Sequence, residues 1–199
     1  MRRNPSDSEA VLTARIRFRL LFCVPGVQGG VTVMPSAHGH RCPSSLRRLR
    51  IDDNVKPMTE QEIKDFAAAW YYALDIHAPA EDCYRLLADE GLNMYFPDGL
   101  ISNFATFRTW YDRVTHLFFD EIHNVQSVRA TLNGAEADVE VVVGWQASWF
   151  EPPAAKSKRT SMNATQRWTV RRSNKNVHGI EIVSYIVERF DYAPGFAQL

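Results

Sequence analysis

Residues 133–149 read Asn-Gly-Ala-Glu-Ala-Asp-Val-Glu-Val-Val-Val-Gly-Trp-Gln-Ala-Ser-Trp. Asn133-Gly134 is a strong two-residue hairpin signal, because both residues tolerate the positive φ of a type I′ turn. After it the odd positions are Ala137, Val139, Val141, Val143, Trp145, Ala147 and Trp149, while the even ones open Glu136, Asp138, Glu140 and turn mixed at Val142 and Gly144. A period of two over this length predicts a long strand with one fully buried face and one partly buried face. The stretch Ile122–Leu132 before the turn alternates as well and predicts the partner strand.

Downstream, Glu151–Asn163 reads as a polar, proline-containing loop. Ala164–Ser173 is predicted as a third strand, with Trp168 and Val170 facing opposite to Arg167, Thr169 and Arg171. Ile180–Asp191 is the last predicted strand. Its Ile180, Ile182 and Ile186 fall on one face and Val183, Tyr185 and Val187 on the other, so both faces read as apolar. A strand of that kind needs a cover on its second face, which predicts a homodimer packed through the outer sheet face.

Upstream the period is 3.6. Thr59-Glu60-Gln61-Glu62 has the spacing of a capping box. Ile63, Phe66, Ala67, Trp70 and Leu74 then form one apolar helical face, ending near His77-Ala78-Pro79. Pro79 suits the first turn of a second helix that carries Cys83, Leu86 and Leu87 inward and stops before Gly91. Leu92, Met94 and Phe96 predict a short strand before the turn Pro97-Asp98-Gly99. Ser102 or Asn103 caps a third helix with the face Phe107, Trp110, Tyr111, Val114, Leu117 and Phe118. Helices first and strands afterwards predict an α+β fold with the helices on one face of a curved antiparallel sheet.

The 199 residues hold 23 Lys plus Arg and 23 Asp plus Glu, a formal charge of zero. That zero is unevenly distributed. Residues 1–57 carry ten basic residues against four acidic ones, a net +6, and residues 58–199 carry −6. Only Phe18 and Phe22 of the 23 aromatic residues precede Pro57, whereas five of the ten prolines lie in that segment. A basic, proline-rich stretch without large anchors cannot offset its ordering entropy. The expected division is therefore a disordered or upstream extension over 1–57 and a folded domain over 58–199, with Met58 standing where a first residue could. The apolar run Leu20–Val24 is too short for a secretory signal, and Asp7 and Glu9 count against an organellar transit peptide. A basic arm for nucleic acid lacks interleaved aromatics and would sit ahead of an acidic body. No run of 18 apolar residues exists to cross a membrane. The expected compartment is the cytoplasm. Cys23 and Cys42 fall in the extension, so Cys83 reads as a lone core thiol.

The element order, with Trp70-Tyr71-Tyr72-Ala73-Leu74-Asp75, Leu86-Leu87-Ala88-Asp89, Phe107-x-x-Trp110-Tyr111 and the closing Trp-bearing and Ile-bearing strands, resembles the nuclear transport factor 2-like superfamily, in its SnoaL-like and scytalone-dehydratase-like branches. The resemblance covers 58–199. It implies a cone, a cystatin-like roll in which a bent sheet wraps three helices around an apolar pocket for a small molecule, and it implies no cofactor. The pocket would be lined by Trp70, Tyr71, Tyr72, Asp75, His77, Asp98, His123, Trp145, Trp149, Trp168 and Tyr185. Where ketosteroid isomerase places its base, its oxyanion tyrosine and its acid, this chain has Phe96, Trp70 and Gln166, so that proton shuttle is not expected. The scytalone-dehydratase-like pattern, an Asp ending the first helix and a His opening the first long strand, is met by Asp75 and His123. Its second His is missing from Val143-Gly144-Trp145-Gln146, and a tyrosine partner is replaced by Leu74.

A carboxylate that orients an imidazole sets its tautomer and leaves the other nitrogen to move a proton. The resulting expectation is a cofactor-independent lyase or isomerase, dehydratase- or cyclase-like, acting on an apolar cyclic substrate, with His123 as acid/base, Asp75 orienting it and Tyr71, Tyr72 or Tyr185 donating a hydrogen bond. The competing expectation is a non-catalytic carrier, dimerisation module or partner subunit of an oxygenase. Each candidate also has a structural role open to it: Asp75 as a helix end, Asp98 as a turn residue, His77 as a cap and His116 on a helix C-terminal dipole. His116 and His123 lack metal-ligand spacing, and Asn163-Ala164-Thr165 spells a glycosylation sequon only.

Overall fold

The Thr59 hydroxyl accepts from the Glu62 N–H at 3.2 Å, and the Glu62 carboxylate accepts from the Thr59 N–H at 2.9 Å. The capping box therefore forms, and α1 runs Glu60–Asp75 with Ile63, Phe66, Ala67, Trp70 and Tyr71 buried. The helix belongs to a computed structural model whose described residues are 56–97 and 99–199. The readings made for the extension up to residue 55 and for Asp98 lie outside them. Within residues 54–199, Met58 is buried in the core at 2% exposure. Arg172 reaches the carbonyls of Lys56 and Pro57 at 3.0 and 2.8 Å and the Glu62 carboxylate at 2.7 Å.

That clamp leaves a titration signature. Arg172, then Lys56 and the Thr59 N–H, hold the Glu62 carboxyl down at about 2. A carboxyl depressed on folding adds stability above its unfolded value and loses it as pH falls through its folded value. The stability difference between the wild type and Glu62→Gln is therefore expected to be full at neutral pH and to close between about pH 4.5 and 2. Urea midpoints measured across that range check it.

After α1 come α2 (Ala80–Tyr84), β1 (Asn93–Phe96), β2 (Gly99–Ile101), α3 (Phe104–Leu117), β3 (Phe118–Asn133), β4 (Glu136–Trp149), β5 (Lys158–Arg172) and β6 (Ile180–Tyr192). The sheet order is β2-β1-β6-β5-β4-β3. Every neighbour is antiparallel except β1 and β6, which are parallel. The three helices and the odd-numbered face of β4 share one core, which includes Phe66, Trp70, Phe107, Val139, Val141, Trp168 and Ile182. This is the expected α+β roll.

Five local expectations are corrected. Pro79 is the N-cap of α2 and not its first helical residue. α2 is only five residues long, because the chain tightens after it: the N–H groups of Leu86 and Leu87 bond three residues back, to Cys83 and Tyr84. Phe118 opens β3 instead of closing α3, which leaves Leu117 at the helix end, 39% exposed. β2 pairs with β1 in a hairpin too short to show a period. β5 begins at Lys158, so half of the predicted loop is strand, with Thr160 and Met162 buried on the face that continues through Trp168.

A sixth correction concerns β6. Its register against β5 slips between Thr169↔Ser184 and Val170↔Ile182, and again between Thr165↔Arg189 and Gln166↔Val187. Each slip leaves one β6 residue, Val183 and then Glu188, without a partner. A bulge of one residue inverts the parity of all that follows. Ile180, Ile182 and Tyr185 consequently share the core face, with Val187 and Phe190 packed on the same core. The two apolar faces read from strict alternation are one apolar face with two bulges.

Candidate active site

Tyr71 and Asp75 stand one turn apart on α1, a spacing that puts both on one face. On β3, Glu121 and His123 share a face because they are two residues apart. Asp120, with φ +52°, occupies a register slip just before them. α1 packs against β3: the acid that ends α1 meets the histidine of β3, and the acid of β3 meets His77, just past α1.

The first pair is Asp75 with His123. The Asp75 carboxylate accepts from the His123 backbone N–H at 3.0 and 3.2 Å and stands 2.7 Å from Nδ1. A carboxylate at that distance fixes the proton on Nδ1 and leaves the lone pair on Nε2. The His123 side chain is only 10% exposed. Its ring stacks on Tyr71, with centroids 5.1 Å apart and planes at 24°, and runs nearly parallel to Trp145 at 6.1 Å and 23°.

Reciprocally, the second pair is His77 with Glu121. His77 Nε2 is 3.0 Å from one Glu121 oxygen, and the Trp145 indole N–H donates to the other at 2.9 Å. The Glu121 side chain is 9% exposed and that of His77 is 30% exposed. His77 has φ +49°. It is the residue just past the helix, where its N–H bonds Leu74 and the next one, on Ala78, bonds Ala73. Glycine or asparagine normally fills that position. Sequence reasoning missed Glu121. The available signal was the repeated tripeptide pattern Asp75-Ile76-His77 and Glu121-Ile122-His123.

Beneath His123 lies a closed polar floor. The Tyr71 hydroxyl donates to the Gln166 side-chain oxygen at 2.7 Å, and the Trp168 indole N–H donates to the same oxygen at 3.0 Å. Tyr185, 3% exposed, stacks on Trp168 at 5.2 Å. Burial pushes both phenols up, that of Tyr71 also through the neighbouring Tyr185 hydroxyl, so both stay protonated. Trp70 is fully buried, packs against Phe107 and Tyr185, and its indole N–H has no hydrogen-bond partner of good geometry among the described residues.

The remaining candidates lie elsewhere. Tyr72 is 65% exposed, about 100° round α1 from Tyr71, and does not join the enclosed group. Trp149 packs with Phe118 and Ala147 in a separate cluster at the end of the sheet. His116 holds the Asp112 carbonyl one turn back at 2.6 Å. Cys83 is buried, and burial raises its thiol to about 11. A groove of about 310 Å³, lined by Arg129, Asp138, Glu140 and Arg167 among others, lies across the outer strand faces, away from His123. Among the described residues no three His, Cys, Asp or Glu side chains converge to hold a metal ion, and no helix is long and apolar enough to cross a membrane.

No protein-family model matches this chain, and no curated protein matches it in sequence. Solved structures do match. A candidate scytalone dehydratase from Novosphingobium aromaticivorans is 14% identical with TM-score 0.55, over 69% of this chain and 90% of its own. Hexachlorocyclohexane dehydrochlorinase LinA-type3 from Novosphingobium barchaimii is 11% identical with TM-score 0.55, over 70% and 92%. A nuclear transport factor 2-like superfamily protein from Salmonella enterica is 15% identical with TM-score 0.51, over 70% and 92%. At such identities the likeness speaks for architecture alone. The described body, with its helices held on one face of a six-stranded roll, has the nuclear transport factor 2-like fold.

Proposed function

We propose that this chain is a lyase that removes a proton from carbon in a small, apolar, cyclic molecule and expels a leaving group from the neighbouring carbon. The observation that carries the reading is the Asp75–His123 contact, which leaves Nε2 as the free basic nitrogen of a ring that is mostly buried. In the proposed step Nε2 takes the C–H proton, the C–H electron pair becomes a C=C bond, and the leaving group departs with its own bonding pair. A dry setting favours the step, since a base freed from competing water abstracts better. The presence of a dehydrochlorinase and a candidate scytalone dehydratase among the structural neighbours supports the reaction class.

The test is a panel of three elimination probes: scytalone, which loses water; hexachlorocyclohexane, which loses chloride; and 5-nitrobenzisoxazole, which opens to a phenolate. Turnover of at least one above buffer, abolished in His123→Gln, is the expected result. Absence of turnover on all three by folded protein would overturn it in favour of the carrier or partner-subunit reading.

A homodimer through the outer sheet face is part of the same proposal, on a different footing from the one read in the sequence. The bulges of β6 remove the second apolar face, but Phe119 and Ile122, paired with Ser148 and Gln146, leave 42% and 53% of their surfaces exposed on that side. Light scattering at micromolar concentration is expected to give twice the chain mass, and a monomer would contradict it.

A further inference from the structure

Resting on the elimination reading above, we propose that the His77–Glu121 pair is its acid half, with His77 protonating the departing oxygen. A base suffices when the leaving group is stable as an anion, but loss of hydroxide requires a proton donor. The tyrosines cannot supply it. The Tyr71 hydroxyl is committed to Gln166, Tyr185 is sealed in the floor, and Tyr72 stands in solvent.

His77 meets the requirement from the opposite side. Its Nε2 is held by a carboxylate that is itself nearly buried. Its Nδ1 has no hydrogen-bond partner among the described residues, so in the proposed acid form Nδ1–H is the proton left to donate. The arrangement is complementary to the first pair, in which the carboxylate holds Nδ1 and Nε2 is free. Glu121 and His123 are two residues apart on one face of β3, about 6.6 Å along the strand. That spacing is on the scale of a single substrate ring. Trp145 joins the two pairs, with its indole N–H on Glu121 and its ring alongside His123.

Backbone strain points to the same place. The described chain has two non-glycine residues at positive φ, His77 and Asp120. One is the histidine of the pair, and the other directly precedes its glutamate. Such conformations cost free energy and persist where the surroundings impose them.

His123 gains the carbon-bound proton, the C–O bond breaks toward oxygen, and the proton lost by His77 Nδ1 completes a water molecule. Exchange with solvent then returns His123 and His77 to their starting states.

The experiment uses the full chain and a matched pair of probes, a dihydronaphthalenone with a hydroxyl β to the ketone and the same ring with chloride in that place. His77→Asn is the informative variant, because asparagine suits a left-handed helix end and the fold should hold. The proposal expects His77→Asn to slow loss of water by about 100-fold or more, to leave loss of chloride within about threefold, and to keep the melting temperature. Glu121→Gln should repeat the pattern more weakly. Equal slowing of both probes, or of neither, in folded His77→Asn would overturn the acid role while leaving the base role of His123 intact. Turnover of neither probe by the wild type, or turnover of both unaffected by His123→Gln, would overturn the elimination reading itself and the acid role with it.

Discussion

His123→Gln is expected to slow elimination of every turned-over probe by a factor of about 10² to 10⁴, with thermal stability little changed. The separation of rate from stability follows from how Asp75 is used. One carboxylate serves both the imidazole Nδ1 and the His123 backbone N–H. The substitution removes the base and keeps the main-chain tie between the end of α1 and β3. Glutamine also retains much of the volume between Tyr71 and Trp145. Asp75→Asn acts differently. Its amide oxygen can still accept the backbone N–H, but without the carboxylate nothing fixes the proton on Nδ1, and the tautomer with Nε2 protonated is no base. A loss of about 10² or more is expected, because an imidazole in the wrong tautomer is as idle as an absent one. Steady-state rates and melting curves on the same preparations check both. A rate loss that tracks a fall in melting temperature would mean that the contact is structural.

Trp168→Ala is expected to cost about 3–5 kcal/mol of stability. The side chain is fully buried, stacks on Tyr185 and meets the Tyr71 ring at a tilt of 44°. Its indole N–H fills half of the hydrogen bonding at the Gln166 oxygen. Removing it opens a cavity that the stiff paired strands β4, β5 and β6 cannot collapse, and it leaves Gln166 with Tyr71 alone. For a body of this size the melting temperature should fall by about 10 °C or more. The urea midpoint should fall at an unchanged slope. A drop of under 1 kcal/mol would contradict the packing described for the floor. Activity in the surviving folded fraction should fall too, since Tyr71 is the surface on which His123 rests.

How much of this was legible in the chain depends on what each feature answers to. The hairpin and the strand after it obey local rules, although the turn sits one residue later than read: Asn133 pairs with Glu136, and Gly134, at positive φ, and Ala135 make the loop. In their observed register, from Asn133↔Glu136 to Phe118↔Trp149, β4 keeps the alternation seen in the sequence, whereas β3 slips at Asp120–Glu121 and again at Gln126. The capping box at Thr59 is equally local, and it forms. β6 defeated the same method because parity is a global property of a strand. Bulges at Val183 and Glu188 are decided by fit to β5, and no residue type announces them. The first six residues of β5 were hidden by polar content, since Thr160 and Met162 are buried among Arg159, Ser161 and Asn163.

The site divides in the same way. Asp75 and His123 could be named from their places at a helix end and a strand start, within a recognised order of elements. Their contact across 48 residues could not be read from spacing. Glu121 escaped because an acid beside Asp120 at a strand start reads as solvated surface. Only the register slip at Asp120 turns it inward, onto His77 and Trp145. Aromatic candidates were overcounted, because a tryptophan that lines a cavity and one that fills a core obey the same period. Trp149 illustrates this: it shares the parity of Trp145 but packs with Phe118 and Ala147 and makes no ring contact with His123 among the described residues.

The account turns on Asp75 holding His123 with its proton on Nδ1 and its lone pair on Nε2. Nitrogen-15 NMR of the histidine side chains, with His123 assigned by comparison with His123→Gln, reads that tautomer directly. In the neutral imidazole a protonated Nδ1 and a bare Nε2 are predicted for the wild type, with the preference lost in Asp75→Asn. A wild-type His123 carrying its proton on Nε2, or one indifferent to Asp75→Asn, would contradict it.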